Sequence, residues 1–452
     1  MPNEGVKLKF VLLFSLFFCL KGFSFEVYFS PETNLDQIVV QEIQKSKKNI
    51  DISIYTFRST PIIQALVDKV KNNSNFKIRI LIRRADMESL VELFLPLEAE
   101  FEKLGVNTEN IKYVNVTNHH KFLIVDGKTL LNTSGNFNDS PLQASYDENL
   151  FVCSRSCPEL VEAFQTEFEY LYFNSHPLFI DDLIPSNSDH LGLLYLKPDA
   201  KDFKSVALFT SDNFFIETVD GKNKFKIKKN LNIGIIENKL ISTILNAKKS
   251  IKVATGHLRS WTLAKTLAEA AKKGIQVEVI LDGQEYLSPE YQILEDQMRD
   301  KCLKSGKSLE DCYSTGFRFG RWLETQGVKV SFKYYMIFWD FIDAPQMHHK
   351  YMIVDNQVVF TGSYNWSKNA EFKTFENLAI LNNKKVVTQF LKNFEAIKNY
   401  GVKNFKILTE SWIQNKSDVN LIFDPMTLTV PEIDKLFLIL KKNHPEVFIN
   451  KD

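Results

Sequence analysis

Two stretches of the chain share one alternation of apolar and polar positions. Asn49-Ile50-Asp51-Ile52-Ser53-Ile54 and Ser250-Ile251-Lys252-Val253-Ala254-Thr255 are rich in β-branched residues, which predicts strands. Each follows a Lys pair, Lys47-Lys48 or Lys248-Lys249, and each runs on to an Arg-Ser pair at 58–59 or 259–260. Helical patterns follow at 61–72 and 262–273, then further strands at 76–82 and 275–281. Strand–helix–strand order predicts α/β units, and the matched copies predict a duplication. The expected organisation is a first half at 25–200, a linker at 201–224 and a second half at 225–405. A helical tail is expected at 406–452, its apolar strip at 433–440 packing on the second half.

A second pattern recurs with polar residues attached. His119-His120-Lys121 precedes the apolar run 122–125, and His348-His349-Lys350 precedes 351–354. Each run ends in an Asp-led turn at Asp126 or Asp355 and then returns, reaching Ser134 and Asn136 in one copy and Ser363 and Asn365 in the other. His, Lys, Asp, Ser and Asn each recur at an offset of 229 residues. The runs predict buried strands, and strand side chains alternate faces. His119 and Lys121 therefore share one face, as do His348 and Lys350, while His120 and His349 point the other way. An imidazole, an ammonium, a hydroxyl and a carboxamide together make a phosphate cradle with a nucleophile or acid–base group. Glu148 follows His119 by 29 residues and Glu376 follows His348 by 28, offering carboxylates to fix the imidazole tautomers. Two structural hairpins with incidental histidines are the bland alternative; five shared polar positions at one offset weigh against it. Metal binding is the chemical alternative, and the Lys two residues from each His opposes a cation. No metal or other cofactor is expected.

Composition narrows the class without choosing a substrate. A 452-residue chain with 44% hydrophobic and 25% charged residues is long enough for two globular units and is not a disordered chain. Lys7 and Lys9 precede an apolar run at 10–20, with Gly22 and Ser24 before a cut after Ser24. Residues 1–24 thus read as a signal peptide, and the expected location is exported, periplasmic or secreted. The net charge of +1 falls to about −1 without Lys7, Lys9, Lys21 and Glu4, so phosphate recognition must be local. Four cysteines remain, in two local pairs, and after a signal peptide they predict the disulfides Cys153–Cys157 and Cys302–Cys312.

The paired motifs resemble the HxKxxxxD motifs of the phospholipase D superfamily, over nearly the whole mature chain. That resemblance implies two α/β halves, each a mixed sheet flanked by helices, packed about a pseudo-twofold axis with one active site at their junction. It implies that one histidine attacks phosphorus and the other serves as acid, then base, without metal. By matching positions, His119, Lys121, Asn136, His348, Lys350 and Asn365 inherit the catalytic and phosphate-holding roles. Ser134 and Ser363 would support the phosphate pocket, Glu148 and Glu376 would orient the histidines, and Asp126 and Asp355 would stabilise the hairpins. One departure stands out: Thr133 occupies the position of Gly362, where a side chain is expected to crowd the pocket or shift the strand.

The expected function is hydrolysis of a phospholipid head-group phosphodiester through a phosphohistidine, with transphosphatidylation as a possible companion activity. The alternatives are an exported, sequence-non-specific endonuclease, for which nucleic acid is the partner, and an inactive binding module. An aromatic strip at 334–341 leading into the second motif is either a peripheral membrane contact or a buried strand. Arg58 and Arg259, repeated after matching strands, are expected to assist phosphate binding or to form surface ion pairs. The protein is expected to be a monomer.

Overall fold

The computed structural model describes residues 25–73, 75–82, 111–137, 147–177, 196–197, 202–286, 289–313, 317–336, 346–400 and 422–443. The expected signal peptide at 1–24 lies outside the described residues.

The first half runs β1 (Phe25–Phe29), α1 (Leu35–Lys45), β2 (Asn49–Ile54), α2 (Thr60–Asn72), β3 (Lys77–Ile82) and β4 (Ile111–Tyr113). It continues through β5 (Thr117–Asn118), β6 (Lys121–Val125), β7 (Thr129–Thr133), β8 (Asn149–Cys153), α3 (Pro158–Phe173) and β9 (His176–Pro177). The second half runs β10 (Ala207–Phe209), β11 (Phe214–Val219), β12 (Lys222–Ile227), α4 (Ile235–Asn246), β13 (Ser250–Thr255), α5 (Trp261–Lys272) and β14 (Gln276–Asp282). After it come α6 (Pro289–Lys304), α7 (Leu309–Cys312), α8 (Gly320–Thr325), β15 (Lys329–Met336), β16 (Lys350–Val354) and β17 (Val358–Gly362). The last elements are α9 (Lys368–Phe372), β18 (Thr374–Phe375), β19 (Asn377–Leu381), α10 (Lys384–Lys398), β20 (Ile422–Thr429) and α11 (Val430–Asn443).

Two eight-stranded sheets result, in the orders β1-β8-β7-β6-β2-β3-β4-β9 and β10-β19-β17-β16-β13-β14-β15-β20, beside the two-stranded pairs β11-β12 and β18-β5. The orders match position by position. In each, the two strands beyond the repeated β2 or β13 pair parallel, and the motif strand pairs antiparallel with it. The sheets are therefore mixed, and the halves are duplicates packed about a pseudo-twofold axis.

Alternation along the motif strands explains the layers. Phe122 and Ile124 join Tyr351 and Ile353 in one core shared by both halves, closed by Phe164 and Phe168 of α3 and Phe390 and Phe394 of α10. Leu123 and Val125 face outward to Val39 and Ile43 of α1 and Leu66 of α2. Met352 and Val354 face outward to Leu240 of α4 and Leu267 of α5. Both faces of each motif strand are thus covered, which is why the runs are continuously apolar.

Three segments differ from the sequence reading. Residues 201–224, expected as a linker, include β10, an edge strand of the second sheet, and β11 of a hairpin with β12. The tail carries a strand, β20, paired with β15, before α11 buries Ile433 and Leu436 in the outer core. The aromatic strip begins with Tyr334 and Tyr335, both buried, so the described part of it is core; 337–341 lies outside the described residues. The disulfides are Cys153–Cys157 and Cys302–Cys312, the two local pairs.

Candidate active site

The two motifs meet because backbone groups cross between the halves. The His119 N–H donates to the Phe375 carbonyl (3.0 Å), and the His348 N–H donates to the Asp147 carbonyl (2.9 Å). A two-stranded ribbon, β5 against β18, and a bridge between Asp147 and Met347 extend these ties. The residue after each acceptor is a glutamate, and its carboxylate returns to the same histidine. His119 Nδ1 lies 2.8 Å from Glu376 Oε1, and His348 Nδ1 lies 3.3 Å from Glu148 Oε1. Each imidazole is therefore held by a carboxylate from the opposite half. Nδ1–H donation to the carboxylate leaves Nε2 as the ring atom available for chemistry.

The carboxylates are held in turn. Glu376 accepts from Ser363 Oγ (2.6 Å) and Thr374 Oγ1 (2.8 Å). Ser134 and Ser363 also accept the N–H groups of Asn149 (3.1 Å) and Asn377 (3.0 Å). Both serines are fully buried. Ser363 thus stands behind the Glu376 carboxylate, and the Ser134 carbonyl accepts from Lys350 Nζ (3.4 Å), whereas the sequence reading gave both serines to the phosphate pocket.

Lys121 and Lys350 are buried and fold back on their own motifs. Lys121 Nζ donates to the His119 carbonyl (3.0 Å), and Lys350 Nζ donates to the His348 carbonyl (2.9 Å). Asn136 Oδ1 and Asn365 Oδ1 are buried atoms without a protein partner among the described residues. Unpaired polar atoms beside paired cations mark a place for a polar ligand. A cleft of about 370 Å³ opens on the His119 side of the junction, lined by His119, Glu376, Asn365, Tyr55, His257 and Arg259 among others.

Burial governs the electrostatics. It pushes the His119 and His348 imidazoles well below the ordinary value, and the nearby Lys121 and Lys350 ammoniums add to the shift. It drives Lys121 well down, Lys350 down to about 7, and Glu148 and Glu376 up to about 7. A bound phosphate anion would oppose the lysine shifts by supplying a counter-charge. Among the described residues, no group of three or more His, Cys, Asp or Glu converges as metal ligands.

Other expected residues fall at the margins. Asp126 accepts the N–H groups of Lys47 (2.9 Å), Lys48 (2.7 Å) and Asn49 (3.1 Å), and Asp355 does the same for Lys248, Lys249 and Ser250. They clasp the helix-to-strand turn ahead of β2 and β13. His120 and His349 are fully buried, and each meets an asparagine of the other half: Asn377 at 3.2 Å and Asn149 at 3.2 Å. The repeated arginines diverge, Arg58 being exposed and Arg259 lining the cleft. Thr133 does not crowd the pocket; its Oγ1 accepts the Gly135 N–H (3.0 Å). At Gly362 a Cβ would stand 2.3 Å from the Asn377 carbonyl oxygen, and at Gly135 one would stand 2.0 Å from Glu148 Oε2. Each copy thus spends its glycine at a different close approach.

Two cleft residues escaped the sequence reading. Tyr55 meets the His119 ring edge-on with centroids 4.7 Å apart, and the Lys121 ammonium lies 5.3 Å from its ring centre. His257 is held by Glu285 at 2.9 Å. Both were visible as mismatches between the copies, where Tyr55-Thr56 aligns with Gly256-His257.

A family model described as "Cardiolipin synthase, PLD-like domain" matches residues 39–172 and 240–398, more than half of the chain and one copy per half. The chain belongs to the phospholipase D superfamily. The mitochondrial cardiolipin hydrolase of Xenopus laevis is 24% identical over 160 residues, 35% of this chain and 60% of that protein. The human mitochondrial cardiolipin hydrolase is 44% identical over 55 residues, 12% of this chain and 22% of that protein. The phospholipase D of Rickettsia prowazekii is 24% identical over 131 residues, 29% of this chain and 60% of that protein. The chain thus spans about 60% of the length of the Xenopus and Rickettsia relatives. The phosphatidylserine synthase of Haemophilus influenzae shares the fold, with a TM-score of 0.54 at 15% identity over 82% of this chain and 85% of that one.

Proposed function

We propose that this superfamily member, of a phosphodiesterase family, hydrolyses a phospholipid head-group phosphodiester through a covalent phosphohistidine, at one site shared by its halves. The crossed carboxylates carry this reading: Glu376 of one half on His119 of the other, and Glu148 on His348. With Nδ1–H donating to the carboxylate, Nε2 of one ring attacks phosphorus and the P–O bond to the leaving alcohol breaks. The other ring gives its Nε2 proton to that oxygen. It then takes a proton from water, the hydroxide attacks phosphorus, and the P–N bond breaks. An alcohol in place of water gives transphosphatidylation. Lys121, Lys350, Asn136 and Asn365 hold the non-bridging oxygens. His119, with the shorter carboxylate contact, is assigned as nucleophile and His348 as acid. Both rings are shifted downward alike, so the phosphate anion supplies the asymmetry that protonates one of them.

Export is part of the proposal, and the exported protein should begin near Phe25. The test incubates purified protein in parallel with phosphatidylcholine, phosphatidylglycerol, cardiolipin and plasmid DNA, with and without EDTA. Head-group release that survives EDTA is expected. Cleavage of plasmid with every lipid untouched would overturn the lipid reading.

A further inference from the structure

Beside His119 the cleft holds another imidazole, in the same arrangement as the two motif histidines. His257 Nδ1 lies 2.9 Å from Glu285 Oε1, and Glu285 is almost fully buried. The same oxygen accepts from Arg259 Nε (3.0 Å) and Nη2 (2.7 Å). The backbone is pinned as well: the Gly256 N–H donates to the His349 carbonyl (3.0 Å), and Thr255 Oγ1 donates to the His257 carbonyl (3.0 Å). His257 and Arg259 line the cleft beside His119 and Asn365. With Nδ1–H committed to Glu285, Nε2 is the ring atom left for a ligand, and in the neutral ring it is an acceptor.

This device belongs to one half only. The aligned position in the first half is Thr56, and its neighbour Tyr55 covers His119, whereas Gly256 leaves no side chain over His348. His257 is therefore not part of the duplicated phosphate cradle. It makes one flank of the cleft different from the other, as an unsymmetrical diester requires.

The charge around it selects the kind of group it meets. Arg259 is matched by Glu285, and Lys368, on the same wall, is matched by Glu237 at 2.7 Å. A wall so balanced offers little to a second full anion. It offers an acceptor to a neutral hydroxyl.

We propose that His257 is a specificity-determining residue that accepts a hydrogen bond from a hydroxyl on the alcohol esterified to the scissile phosphate. This rests on the lipid phosphodiesterase reading above. The substrate class is a phospholipid with a polyol head group, such as glycerol, in preference to a simple alkanol ester.

The test compares phosphatidylglycerol with phosphatidylpropanol, which lacks the head-group hydroxyls, in mixed micelles. The wild-type ratio of kcat/KM should favour phosphatidylglycerol by about 10-fold or more, the scale of one buried hydrogen bond with its partner otherwise unpaired. His257→Ala should bring that ratio close to one, and His257→Gln, which keeps an acceptor oxygen, should retain part of it. A wild-type ratio near one overturns the proposal whether or not the variants fold. So does a variant ratio equal to wild type, which would make His257 a buttress for Arg259. Cleavage of bis-para-nitrophenyl phosphate with neither lipid touched would overturn the lipid reading itself, a different result from lipid cleavage without preference.

Discussion

The histidines at the head of each motif strand do unequal work within a pair. His119 and His348 face the junction with a carboxylate behind each, while His120 and His349 are sealed against asparagines of the opposite half. His119→Ala and His348→Ala should each cut turnover at least about 100-fold, the scale of lost acid–base catalysis, in protein that still folds. His120→Ala should instead lower stability by about 1–3 kcal/mol, because Asn377 and Glu167 lose a buried partner. Turnover and thermal melts on the same preparations separate the two effects. Gly135 gives a sharper test. A methyl there must displace the Glu148 carboxylate, which serves His348 in the other half. Gly135→Ala should cost roughly 10- to 100-fold in turnover, as loss of an orienting outer-shell group does, with little change in KM. The pH profile follows from the same burial. Both imidazoles are pushed below about 6.5, so the nucleophile is already neutral at pH 7 and the acid limb lies below that value. Burial brings the Lys350 ammonium down to about 7, against the opposing pull of the Glu148 charge, so its own charge is present below that pH and lost above it. Free-enzyme phosphate affinity, and with it kcat/KM, should therefore fall as pH rises past about 7. The kcat limb should lie higher, because bound phosphate favours the ammonium.

At the scale of elements, each motif strand is secured at both ends. One end is tied across the junction by the histidine N–H, and the other by an Asp at a left-handed turn, with φ of 53° at Asp126 and 52° at Asp355. Aspartate tolerates that backbone better than most residues, and its carboxylate gathers three N–H donors of the preceding helix-to-strand turn. Asp126→Ala and Asp355→Ala should each cost about 1–3 kcal/mol in chemical denaturation, the range for charged hydrogen bonds, while kcat changes less than about twofold. The repeated strands, the hairpins and these aspartates were legible because period-two patterning and turn residues act over a few positions. β10 and β20 were not, since each is an edge strand defined by a partner far away in sequence. The crossing of Glu148 and Glu376 was hidden for the same reason. Spacing within a copy points each glutamate to its own histidine, and only the packing of the halves exchanges them.

For the whole molecule, the proposed function makes one site of the two copies. Residues from both halves share a core, and His119 and His348 each take their carboxylate from the opposite half. The recurrence at a fixed offset revealed the polar set, whereas Tyr55 and His257 were invisible to it because they break the repeat. On the proposed reading the duplicated positions build the phosphate cradle, and the unduplicated ones distinguish its two flanks. The most direct measurement of a shared site is the stoichiometry of the covalent intermediate. Enzyme acid-quenched during turnover and analysed by mass spectrometry should carry one phosphoryl-linked substrate fragment per chain, on His119, and none in His119→Ala. Two fragments per chain, one on each motif histidine, would show that each half works alone and would contradict the account.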